Sequence, residues 1–168
     1  MPLKAFCFQQ CFIKNSSSSG VFFDFCIARI LNGLAGLYHD QGKLDEAESV
    51  YRRALAIHEE YRFSNDLDLA DSLVGLANIR RDQAKHEEAE SLFQRALDTL
   101  ERRAASDHSK VGEVLTNMAA MYASQGKRDQ AVRACQRAIA IFEREASTGH
   151  PSCVRAREIL ADIATHEQ

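Results

Sequence analysis

The sixteen residues from Asp40 to Leu55 constrain this chain most, because they recur. Ten of the sixteen positions are identical in Asp82 to Leu97, and seven are identical in Ser124 to Ile139. Each copy follows the last at an offset of 42 residues. A fixed period of this size is the signature of a repeat array. Each repeat is one supersecondary unit that cannot bury its apolar face alone, so neighbours must stack to make a core.

The composition suits long helices. Among 168 residues there are only two prolines and eight glycines. The net charge of −3 is small and both signs are interspersed, which argues against the basic stripe that a nucleic-acid surface needs. No apolar run approaches the roughly 20 residues that span a bilayer, so neither nucleic acid nor membrane is an expected partner. The five cysteines are odd in number and irregularly spaced. That pattern is not a disulfide framework, and it points to a reducing, cytoplasmic setting. A secretory signal reads weakly, because the apolar stretch Ala5 to Ile13 is interrupted by Gln9 and Gln10.

Residues 1–26 stand apart from the period. They hold six of the nine phenylalanines and three of the five cysteines, with a polar linker from Asn15 to Gly20. They read as a leader, as a segment covering the end of an array, as a targeting segment, or as the point where a longer array is cut. The array itself reads as 27–166, with repeats at about 27–63, 67–105 and 109–147 and a half repeat at 151–166. In the first helix, Ile27, Ile30, Leu31, Leu34, Ala35, Leu37 and Tyr38 recur at spacings of three and four and are assigned to one face. Gly42 suits the left-handed exit of that helix. The second helix begins at Leu44, with Asp45, Glu46 and Glu48 at its positive end. Its apolar or contact face is Leu44, Ala47, Val50, Tyr51, Ala54, Leu55 and His58. Ala84 replaces glycine in the second copy, which predicts a tighter or different turn there, while Gly126 restores it. Ser109 is read as an N-cap, and Pro151 as the first residue of the last helix.

Leu31-x-x-Leu34-Ala35-x-x-Tyr38 followed by Ala47-x-x-x-Tyr51-x-x-Ala54 resembles the tetratricopeptide repeat. The longer period, with Leu-Ala-x-x-Tyr, Gln-Gly-Lys, Glu-Ala-Glu and the His150-Pro151 turn, resembles the kinesin light chain-like variety of that repeat. The resemblance covers about Ile27 to Ala164. It implies an all-α fold: a right-handed superhelix, or α-α solenoid, of three helix pairs closed by a C-terminal capping helix.

The same resemblance implies a function. In this family the first helix of each pair lines a concave groove that holds a peptide of a partner protein. Transferred to this chain, the groove positions are Arg29, Asn32, Gly33, Gly36, His39 and Asp40 in the first repeat, and Asp71, Val74, Gly75, Asn78, Arg81 and Asp82 in the second. The third repeat gives Glu113, Thr116, Asn117, Ala120, Ala123 and Ser124, and the closing helix Arg155, Glu158, Ile159 and Asp162. Asn32, Asn78 and Asn117 are the sharpest candidates, because an amide offers both a donor and an acceptor to a peptide backbone. Gly33, Gly36 and Gly75 leave room for close approach of a ligand. The arginines are offset by Asp40, Asp71, Asp82 and Glu113, so a mixed-charge peptide fits better than a strongly acidic one.

Catalysis and cofactors have no support in the residues. The six histidines are scattered, and His150-x-x-Cys153 offers two ligands where a structural zinc needs four. The expectation is a non-enzymatic scaffold or adaptor without cofactor. A structural spacer, a self-association module and a regulatory fragment of a larger enzyme or receptor are the alternatives.

Overall fold

Every copy of the repeated block closes an inner helix with the same hydrogen bonds. The computed structural model of the chain describes residues 19–60, 66–102, 108–145 and 147–165. Among these, seven α-helices follow one another: α1 (Ser19–Asp40), α2 (Leu44–Glu60), α3 (Asp66–Asp82), α4 (His86–Glu101), α5 (His108–Ser124), α6 (Arg128–Arg144) and α7 (Pro151–Thr165). No strand occurs among the described residues. The odd-numbered helices are the first members of successive pairs, and α7 is the closing one.

After α1 the amide of Gly42 donates to the carbonyl of His39 and that of Lys43 to Tyr38. After α3 the amide of Ala84 donates to Arg81 and that of Lys85 to Arg80. After α5 the donors are Gly126 and Lys127, and the acceptors Ala123 and Tyr122. This is the double bond of a Schellman motif, which needs a left-handed residue just past the helix. Gly42 and Gly126 supply it at φ 73° and 70°, and Ala84 adopts it too, at φ 60°. The expectation of a different second turn is therefore wrong: the turn is kept and the alanine takes the strain. In copies one and three the motif's side-chain contact is a cation over a ring, with Lys43 Nζ 5.8 Å from the Tyr38 ring and Lys127 Nζ 5.9 Å from that of Tyr122. In copy two, Arg80 stands in the tyrosine's place and pairs with Glu88 at 2.8 Å. A left-handed alanine costs about 1–2 kcal/mol, while glycine adds unfolded-state entropy of about 0.4–1 kcal/mol. Ala84→Gly should accordingly raise stability by up to about 1 kcal/mol, read as a higher urea midpoint at unchanged slope.

The chain divides into two compact units, Met1–Gly75 and Leu76–Gln168, which part within α3. In the first, α1 packs on α2, and the core is Ala28, Leu31, Ala35, Ala47, Val50, Tyr51, Ala54, Ala70 and Leu73. In the second, α5 packs on α4, α6 and α7, and α6 packs on α7. Ala89, Phe93, Ala96, Leu97, Met118, Met121, Cys135, Ala138 and Phe142 are buried there. Ala47, Ala89 and Ala131 have no exposed surface, as close helix crossings require.

Three points differ from the sequence reading. Helix α1 begins at Ser19 rather than Ile27. Its early residues are tied down: the Phe25 ring stacks on that of His58 near the end of α2, with centroids 6.2 Å apart. Ser19 and Gly20 of the expected linker are thus helical, while Asn15 to Ser18 lie outside the described residues, as do two of the three early cysteines, Cys7 and Cys11. Ser109 is no N-cap, since α5 is already helical at His108 and the Ser109 hydroxyl donates to the Glu145 carboxylate. Nor do the apolar residues of α1 share one buried face. Leu31 and Ala35 are in the core, but Ile30, Leu34 and Leu37 are exposed.

Candidate peptide-binding surface

In the first unit Arg29 extends into solvent from α1, with Nε 4.0 Å from a carboxylate oxygen of Asp68. His39 and Asp71 are half-buried, and His39 Nδ1 lies 4.0 Å from the Asp40 carboxylate. Asn32, one turn from Arg29, is already engaged. Its amide donates to the carbonyl of Asp68 at 3.2 Å, and its side-chain oxygen accepts from the Ser72 hydroxyl at 2.8 Å. Both ends of the amide thus tie α1 to α3. Gly36 is half-buried, and a methyl group there would sit at ordinary contact, 3.6 Å, from the Tyr51 hydroxyl. Gly33 faces open space, whereas Gly75 does not: a Cβ there would lie 2.2 Å from Tyr51 Cζ. Gly75 exists to admit the tyrosine ring, which corrects its reading as a space for ligand.

In the second unit Asn78 accepts from Arg81 Nη1 at 3.1 Å, and Arg81 Nε donates to Asp82 at 2.9 Å. These three side chains form one fixed polar cluster along the end of α3. Glu113 on α5 lies between Lys110, whose Nζ is 3.0 Å away, and His150, whose Nε2 is 3.5 Å away. The imidazole of His150 is itself held by stacking on Phe142, with centroids 4.9 Å apart. Asn117 stands one turn beyond Glu113, half-buried, with no hydrogen-bond partner among the described residues. Arg155 on α7 is exposed. Thr116 is the exception: it is buried, and its hydroxyl lies 2.9 Å from the Gly112 carbonyl and 3.2 Å from that of Ser152. It belongs to the packing of α5 on α7, not to a ligand surface.

Asn32 and Thr116 occupy the same place in the period, two repeats apart, and each meets the backbone carbonyl 36 residues later. That position is a stacking contact. A column that reads Asn32, Val74, Thr116 in successive repeats is mixed in polarity. Such mixing suits a packing position better than a backbone-reading one, and this was the available signal.

Other polar groups were not singled out from the sequence. The Tyr122 hydroxyl donates to Glu90 at 2.8 Å, joining α5 to α4. Burial first, and then the bond to that carboxylate, push its pKa up to about 12. Cys135 and Cys153 are free thiols, and burial pushes that of Cys135 up to about 11, which makes it a poor nucleophile at neutral pH. Among the described residues no group of three or more metal-ligating side chains converges, and no helix is long and apolar enough to cross a membrane.

The tetratricopeptide repeat family profiles match residues 26–102 and again 111–152, together more than two thirds of the chain. The chain belongs to the tetratricopeptide repeat family. Its 42-residue period is of the kinesin light chain-like variety. Among solved structures, this tetratricopeptide repeat chain is similar to BtubC (BKLC) from P. vanneervenii, with a TM-score of 0.72 at 20% identity. That likeness, a shared helical-repeat fold, covers 86% of this chain and 57% of the other, so the chain spans a little over half of BtubC's length. Comparison with curated proteins finds no match. Family and fold together make the protein an all-α helical-repeat chain of the kind that mediates protein–protein interaction.

Proposed function

We propose that the protein is a non-catalytic adaptor that holds a partner's peptide along the polar face of its inner helices. The reading rests on family membership and on one observation: once packing has claimed Asn32, Gly75 and Thr116, a set of accessible polar groups remains. In the first unit these are Arg29, His39 and Asp71. In the second they are the Asn78–Arg81–Asp82 cluster, Glu113 beside Lys110 and His150, Asn117 and Arg155. Charges of both signs, already paired, favour a mixed-charge peptide. An acidic tail would have to displace Asp82 from Arg81. Asn117 is the group best able to read a peptide backbone, since its amide donor and acceptor have no partner among the described residues.

The test is selection of a random-peptide display library on the immobilised chain. Peptides so enriched should bind Asn78→Ala/Asn117→Ala at least about tenfold more weakly, a loss of ~1.4 kcal/mol, while circular dichroism is unchanged. Arg53→Ala, on an exposed face of the outer helix α2, should leave them bound. Enriched peptides that ignore the double substitution and lose affinity with Arg53→Ala would overturn the proposal. Asn32→Ala is unsuitable for this purpose, because it removes a contact between α1 and α3.

A further inference from the structure

Helix α1 carries Phe23, Ile27, Ile30, Leu34 and Leu37 at spacings of four and three, the rhythm of a helix-pairing seam. The seam lies away from the core. Phe23 is 52% exposed, Ile30 66%, Leu34 38% and Leu37 59%. The opposite side of α1 holds the buried Ala28, Leu31 and Ala35 and the engaged Asn32. A run of large apolar side chains open to water is unusual on a folded protein and marks an interaction surface.

The period of the chain says what such a surface takes. Two repeats later the same places on α5 are Val111, Val114, Met118 and Met121, and all four are buried. There the outer helix of the preceding repeat, α4, packs on α5. In the same way α6 packs on α7. Among the described residues nothing takes the corresponding place on α1. A second, polar observation agrees. Tyr122 of α5 gives its hydroxyl to Glu90 of α4. Tyr38 is the equivalent residue of α1, and its hydroxyl has no hydrogen-bond partner among the described residues. Both the apolar seam and the phenol therefore await the same kind of neighbour.

We infer that the exposed face of α1 docks, in trans, an amphipathic helix of a partner protein built like α4: an alanine followed by a carboxylate, an aromatic residue three positions after the carboxylate, then Ala-Leu, as in Ala89, Glu90, Phe93, Ala96 and Leu97. It extends the stacking interface that α4 makes with α5 by one more helix, in the mode of a helix laid along an apolar groove. The chain's own first eighteen residues are a poor occupant, because they contain no aspartate or glutamate to meet Tyr38.

A labelled synthetic peptide of residues 84–102, titrated against the full chain by fluorescence anisotropy, tests the inference. Saturable binding is expected. Ile30→Asp and Leu37→Asp should each weaken it at least tenfold with unchanged circular dichroism, since both side chains are exposed. Tyr38→Phe in the chain and Glu90→Gln in the peptide should each weaken it several-fold, and together no further. Binding that ignores Ile30→Asp would place the peptide elsewhere and overturn the inference, as would no binding at all. Binding that emerges only in Phe8→Asp/Phe12→Asp would overturn it in favour of the chain's own leader. A concentration-dependent dimer abolished by Ile30→Asp would overturn it in favour of a second copy.

Discussion

Gly75→Ala should destabilise the first unit by about 1–3 kcal/mol, although alanine is the better helix former. The added Cβ would lie 2.2 Å from Tyr51 Cζ, 2.3 Å from Cε1 and 2.7 Å from Cε2. It would meet the body of the ring rather than a flexible tip. Tyr51 is 9% exposed, and a packed ring can give way only by losing contacts elsewhere. Helix propensity pulls the other way by at most about 1 kcal/mol, so the steric term wins. Gly33 is the control. It holds the same place one repeat earlier, but a Cβ there meets nothing within 4 Å. Gly33→Ala should gain up to about 1 kcal/mol, because only the propensity acts. Urea midpoints would then move in opposite directions for two identical substitutions at equivalent positions. Tyr51→Leu in the Gly75→Ala background should recover part of the loss. Midpoints that rise together would show that the ring is not seated on Gly75.

The contrast between these glycines shows where sequence reading stops. The period and the turn residues made three helix pairs and a closing helix legible, because turns and close crossings depend on residues near one another in the chain. Ala47 was read correctly into the contact face of the second helix for that reason. Gly75 was misread because its neighbour is a ring 24 positions earlier, and nothing local reports that. Asn32 failed in the same way: its acceptor is a backbone carbonyl 36 positions on, and any residue type offers one. The apolar positions of α1 merged into one assigned face because an inner helix of a repeat array contacts neighbours on more than one side. Spacing alone does not separate Leu31, which is buried, from Ile30, which is open. Ala84 shows the reverse case, since three matching hydrogen-bond pairs were worth more than the local preference of one residue.

His58→Leu is expected to stabilise the protein by about 1–2 kcal/mol at neutral pH, and by more in mild acid. His58 occupies the place held by Leu100 and Phe142 in the next two repeats. It is 1% exposed, and neither ring nitrogen has a hydrogen-bond partner among the described residues. Phe25 covers one face of the ring. An unmet buried polar group costs about 1–3 kcal/mol, which leucine removes, less a small loss for imperfect fit. The pH dependence follows from the same burial. Desolvation lowers the pKa of His58 below its usual value, and the nearby charges of Asp68 and Asp71 oppose the shift without reversing it. The unfolded chain, with histidine near 6.5, then binds the proton more readily than the folded one. The stability contribution is complete above about pH 6.5 and is lost as pH falls towards the lower folded-state value. The leucine variant lacks this loss, so its advantage should widen between pH 8 and pH 5. Thermal melts at the two pH values decide the matter, with about 2–4 °C expected per kcal/mol for a chain of this size. A difference that stays constant, or narrows in acid, would mean that the folded protein holds His58 as readily charged as neutral.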